Sequence, residues 1–230
     1  MPSVVLGEAH LKYNGVSYYR GHAEEVELLS IGEKRTPITK QNFLEVKDRL
    51  PVANIRNVKS TVVEIDRQKV SSGDFATKVS AIIPVSGVPI PVKLTADEAT
   101  KKFKADELKL VKVSMEAADV VRAINDSPAK RDKLIDWGND ARVAHQLFLV
   151  MEAETARAFD NNASVEVSVG VKGVLELTVG GSKSSKEAIT VTMEEGACFA
   201  YLLAKIDWDA KQKKNINKAT DVDTDQWGVN

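Results

Sequence analysis

The sequence predicts an α+β fold: a twisted, mostly antiparallel sheet with helices packed around it. Three observations predict it. Between Ser164 and Gly180 the residues Val165, Val167, Val169, Val171, Leu175, Leu177 and Val179 all stand at odd positions, interrupted only by Gly173. Period-two alternation is the signature of a strand with one apolar face. A second alternating run, Phe75, Thr77, Val79, Ala81, Ile83 and Val85, lies upstream. Between the two, residues 115–138 carry helical spacing and helix-boundary residues.

The elements follow in chain order. Tyr13, Tyr18 and Tyr19 near Gly15 and Gly21 point to short strands and turns in the first 35 residues. Thr39 as N-cap, the apolar set Phe43, Leu44, Val46 and Leu50, and Pro51 as a stop predict a helix over 40–49. Residues 62–66 read as a short strand, Ser72-Gly-Asp74 as a turn, and 75–85 as the next strand, confined to an edge or bend by Pro84, Pro89 and Pro91. Thr95-Ala-Asp-Glu98 is a capping box opening a short helix, and Leu108–Val113 is a third strand. A helix over 115–125 and another opened by Ser127-Pro128 and closed by Gly138 come next. Gln146–Phe159 reads as a long strand and Asp160-Asn-Asn162 as a turn, which makes residues 146–179 one long hairpin. Gly180–Ser185 is a break, and strands over 189–193 and 198–206 flank Glu194-Glu-Gly196. The chain divides into one domain, 1–210, and a tail, 211–230, either disordered or docked through Trp227 and Val229.

Composition is that of an ordinary globular chain: 43% apolar and 28% charged residues over 230 positions, ample for a core. A net charge of -1 gives no general attraction to nucleic acid. The single cysteine, Cys198, excludes an intramolecular disulfide and, in its apolar run, reads as a buried inert thiol in a reducing compartment. The first residues have neither a basic stretch nor a long apolar one, so no signal peptide is expected. No window approaches 18 apolar residues, so no membrane-spanning helix is expected either.

Catalytic signatures are missing from the sequence. His10, His22 and His145 lie far apart with no nucleophile at a recognisable spacing, and His145 reads as structural. Gly170, Gly173, Gly180 and Gly181 do not open a helix and form no dinucleotide fingerprint. Asp221-x-Asp223-x-Asp225 begins like a calcium loop, but Gln226 stands where glycine is needed. No catalytic, cofactor or metal residues are assigned. Lys101, Lys102, Lys104, Lys109 and Lys112 form a local basic cluster. A solvated face accounts for it; contact with anionic lipid headgroups is the sharper alternative, at about 1 kcal/mol per basic residue near such a surface.

The run 164–180 has two readings. It is one bent strand or two strands covering a core, or it is a strand able to face lipid on one side and water on the other. A membrane-spanning strand needs only about 9–11 such residues.

Two segments resemble a known family. Gln146-Leu-Phe-Leu-Val-Met-Glu-Ala-Glu-Thr155 is similar to the strand after the central helices of gasdermin pore-forming domains. Lys186-Glu-Ala-Ile-Thr-Val-Thr-Met-Glu-Glu-Gly-Ala-Cys-Phe-Ala-Tyr-Leu-Leu203 resembles the late gasdermin segment with the pattern KEAVTI…G…AF. The resemblance covers about residues 110–207. It implies a gasdermin-like domain, cytoplasmic when inactive, that oligomerises on anionic membrane lipids, joins a large β-barrel through two refolded hairpins (about 61–113 and 146–193), and kills its own cell. Val165, Val167, Val169, Val171, Leu175, Leu177 and Val179 would then face acyl chains, with Glu166, Ser168, Lys172, Glu176 and Thr178 towards the lumen. Mammalian members carry a large inhibitory domain, for which there is no room here. Bacterial members of this length use a short C-terminal peptide removed by a protease, the position of residues 211–230, and fungal members answer to a partner chain. The N-terminal lipid-modified cysteine of many bacterial members and a basic amphipathic first helix are both missing. On this reading the protein is no enzyme; the alternative is a soluble structural or protein-binding α+β domain.

Overall fold

A computed structural model describes all residues except 1–3, 8, 39–40, 53–57, 79–81, 84–91, 161–162, 171–172, 181–187, 195, 210–217 and 226–230. Along the chain run β1 (Val5–Leu6), β2 (His10–Tyr13), β3 (Val16–Tyr19), β4 (Ser30–Arg35), β5 (Phe43–Arg49), β6 (Val58–Val63), α1 (Ser72–Lys78), β7 (Ile82–Ile83), β8 (Val92–Lys93) and α2 (Ala96–Lys104). Then come β9 (Leu108–Ser114), α3 (Ala117–Asn125), α4 (Pro128–Asp136), β10 (Ala141–Glu152), α5 (Ala153–Arg157), β11 (Ala163–Val169), β12 (Leu175–Val179), β13 (Ile189–Met193), β14 (Cys198–Trp208) and β15 (Ala219–Asp225).

The α+β class holds. One large sheet runs in the order β1-β2-β3-β14-β10-β9-β6-β11-β12-β13, with β15 added beside β14 and the β4–β5 pair beside the start of β10. Its ladders are antiparallel. The central strand β10 pairs with β14 on one side, from Arg142 to Leu149, and with β4 and β9 on the other. Its alternation divides the core. Val143, Leu147, Leu149 and Met151 join one cluster with Val120, Ile124, Leu134 and Ala156 of α3, α4 and α5. Phe148 and Val150 join the other, with Phe75, Ala99 and Phe103 of α1 and α2. Helices therefore cover the sheet on both faces.

Several sequence expectations are corrected. Residues 43–49 form strand β5 where a helix was expected. Their apolar spacing suits both periods over so short a run, and the ladder to β4, from Arg35↔Phe43 to Ser30↔Arg49, decides it. The close approach there needs Gly32, where a Cβ would lie 1.9 Å from the Glu45 carbonyl oxygen. The start of the expected 75–85 strand is helix α1. Ser71 Oγ accepts the Asp74 N–H at 3.0 Å, a helix-opening contact in what reads as a turn. The ring of Phe75 is then held 4.7 Å from Phe103 and 5.4 Å from Phe199.

The expected long hairpin over 146–179 does not form. β10 ends at Glu152, α5 follows, and β11 pairs with β12 and β6. The Thr95–Glu98 capping box is present in both directions. Ser127, read as a cap, makes no side-chain cap bond, and Pro128 alone marks that boundary. Residues 219–225, read as tail, are a strand of the sheet.

Candidate functional site

The β11–β12–β13 meander closes one end of the sheet. Its pairing puts like with like: Val165↔Val179, Val167↔Leu177 and Val169↔Leu175 alternate with Glu166↔Thr178 and Ser168↔Glu176. β13 continues the pattern with Leu177↔Val191 and Leu175↔Met193. Val165, Val167, Leu175, Leu177 and Val179 are buried in the core, whereas Val169 is 51% exposed. Glu166, Ser168 and Glu176 are half-buried. Thr178 is buried, its hydroxyl 2.8 Å from that of Thr190. Gly170 and Gly173 build the turn, Gly173 at φ 78° and the Gly170 N–H donating to the Val174 carbonyl at 2.8 Å. Val174, the one large apolar residue at an even position, falls in this turn. Val171 and Lys172 lie outside the described residues, as do Trp227 and Val229.

The lysine cluster is largely internal. Lys102 Nζ lies 2.7 Å from Glu152 Oε1. Lys109 sits between Glu64 at 3.0 Å and Asp106 at 3.2 Å. Lys112 lies over the rings of Tyr13 and Tyr18, and burial lowers its pKa. Lys101 and Lys104, on α2, are exposed. Two of the five thus stand open to a headgroup.

The most strongly built constellation went unread in the sequence. The Asp225 carboxylate, at the end of β15, is buried between two cations that meet the same oxygen. Lys34 Nζ donates to Oδ2 at 2.8 Å and Arg142 Nε donates to it at 2.7 Å. Arg142 Nη1 also donates to the Asn139 and Ala141 carbonyls at 2.6 and 2.8 Å. The Tyr19 hydroxyl donates to the Asp225 backbone carbonyl at 3.3 Å. Burial draws the Lys34 ammonium below its usual value, against the hydrogen bond to Asp225. At the other end of β15, Asn125 of α3 makes a double amide contact with Ala219, accepting its N–H and donating to its carbonyl, both at 2.9 Å. The available signal was Arg142, a charge inside the apolar run opening β10, since a buried charge requires a partner.

Among the histidines, His22 lies beside Glu24 and Glu25 in an exposed group. His145 is buried, and its ring has no side-chain hydrogen-bond partner among the described residues, only the Met115 backbone close by, which favours the protonated form. Burial lowers its pKa to about 4, helped by nearby Lys112. The unfolded chain takes up this proton near 6.5 and the fold resists it until about 4, so stability falls as pH drops through that window. The expected loss is on the order of 3 kcal/mol. Urea unfolding at pH 7 and pH 4.5 should show a smaller difference for His145→Gln than for wild type; equal differences would remove His145 from the account. Burial likewise raises the Cys198 thiol pKa, consistent with an inert thiol.

No family model matches the chain, and neither a curated protein nor a solved structure is significantly similar to it. Among the described residues, no helix is long and apolar enough to cross a membrane.

Proposed function

We propose that the chain is a gasdermin-like pore former, which assembles in anionic membranes through amphipathic β-strands and permeabilises them. One observation carries this reading. The apolar alternation of β11 and β12 keeps its phase through the turn that separates them, with Val171 continuing it. A folded hairpin needs no apolar residue inside its turn. Unrolled, residues 163–179 make a single strand with one apolar face, longer than the roughly 9–11 residues that cross a bilayer. The same sequence thus serves two states: a meander burying its valines in the core, and a long strand burying them in lipid. A closed barrel of such strands leaves no backbone group unpaired.

Neighbouring strands fit the same change. β9, β6, β11 and β12 are already adjacent and antiparallel. The β6-to-β9 connection folds back through α1 and α2. β6, β9 and β11 can lengthen beside their present neighbours, whereas β12 must leave its ladder with β11 to continue that strand. The switch is a population shift: lipid and other copies favour the extended form by binding it better.

Dye release from anionic liposomes tests the proposal, comparing the full chain with one ending near Lys211, which lacks β15. Leakage from the shortened chain alone supports a pore held off by the C-terminal segment, released by a protease. Leakage from both supports a pore controlled by lipid or a partner chain. Silence from both, with native circular dichroism, sinks the proposal in favour of a soluble structural or protein-binding domain.

A further inference from the structure

We infer that α3, the edge of β14 and the Lys34–Arg142 pair form a receptor for an acidic β-strand, filled here by residues 219–225 and open to such a strand from another polypeptide.

β15 is held as a bound peptide is held. Among the described residues its ladder lies against β14 alone, from Trp208↔Ala219 to Leu203↔Asp225. Main-chain pairing gives a strand ligand affinity, and pockets for selected side chains give it specificity. The selected side chains here recur every third residue. Ala219, Val222 and Asp225 are buried, while Thr220, Asp221, Asp223 and Thr224 are exposed. The Asn125 amide fixes the register at one end and the two buried cations fix it at the other.

Charge sets the chemical class of the ligand. Lys34 and Arg142 are buried and converge on one oxygen. A strand entering this groove must bring a carboxylate to that point or leave two cations without it. The resident strand is not the best ligand for its own groove. Asp221 stands directly across from Asp207, and like charges in that position repel. Residues 209–218 separate β15 from β14 in the chain, with the Asp209 N–H donating to the Lys218 carbonyl at 3.1 Å. An incoming strand with a small residue, a β-branched residue and an aspartate at three-residue spacing, and no acid opposite Asp207, competes for the groove.

The inference goes beyond pore formation and does not depend on it, because binding is measured in solution without lipid. The full chain carrying Val222→Asp and Asp225→Ala, whose own strand cannot compete, is titrated into a fluorescein-labelled peptide of residues 218–228. Saturable anisotropy is expected, with an Asp225→Asn peptide bound about 30-fold more weakly or worse and an Asp221→Lys peptide bound more tightly. Equal affinity for the wild-type and Asp225→Asn peptides, or no binding by a chain with native circular dichroism, overturns the proposal. If that variant does not fold, a wild-type chain with a protease site inside 209–218 is cut and passed through size exclusion. Retention of the C-terminal fragment supports the receptor; its loss from a body that stays folded refutes it.

Discussion

Replacing Asp225 by alanine is expected to destabilise the protein by about 3–5 kcal/mol, the usual cost of removing one partner from a buried charge cluster. The reason is asymmetry. Two cations, Lys34 and Arg142, share one carboxylate oxygen, so the substitution leaves both without it. The Lys34→Met substitution should cost less, because Arg142 still compensates Asp225 and a methionine stem fills similar space. The double variant should recover part of the loss of Asp225→Ala, since one buried charge goes with the carboxylate that served it. Urea unfolding of the four proteins gives the coupling directly. A loss under about 1 kcal/mol for Asp225→Ala would mean that the cluster is solvated in solution and that β15 is not clamped there.

The large sheet was legible where one face is buried and one is not. β11, β12 and β13 show period two because one side of each meets the core, whereas β9 feeds both core clusters, Leu108 and Leu110 on one and Val111 and Val113 on the other, and is marked by its apolar content. β5 and α1 were misread for related reasons. β5 is a short strand whose apolar residues, Phe43, Leu44, Val46 and Leu50, fit a helix as well as a strand, and only its long-range ladder to β4 decides the matter. α1 begins an alternating run, but Phe75 is claimed by Phe103 and Phe199, rings 28 and 124 positions away. Tertiary packing overrides a local period in both cases. The Lys34–Asp225–Arg142 cluster was illegible because its members are separated by 83 and 191 positions, and no spacing rule connects them. The aspartates at 221, 223 and 225 begin like a calcium loop in sequence, a likeness that Gln226 breaks, and of the three only Asp225 is buried. The lysine cluster misled in the opposite way. Its density in sequence suggests a basic surface, while carboxylates brought in from Glu64 and Glu152 neutralise much of it.

Val169→Arg should leave a folded protein that no longer releases dye, and Leu177→Asp should not fold at all. Burial separates these two positions of one alternating face. Leu177 is fully buried and packed in the core cluster. Truncating such a leucine to alanine already costs about 2–5 kcal/mol, and an uncompensated carboxylate adds enough to consume the roughly 5–15 kcal/mol that holds a domain together. Loss of leakage in Leu177→Asp therefore says nothing about lipid. Val169 is 51% exposed, and a substitution there should change stability by about 0.5 kcal/mol or little more. If β11 and β12 unroll into one strand over 163–179, Val169 falls near its middle, at the bilayer midplane. A cation on the lipid face costs about 2–4 kcal/mol per copy at that depth and almost nothing near the interface. The penalty recurs in every copy of the assembly, so insertion fails while the soluble fold survives. Full dye release by a folded Val169→Arg would place this residue at the membrane surface or in the lumen, and would leave the turn at 170–173 as a hairpin tip in the inserted state as well.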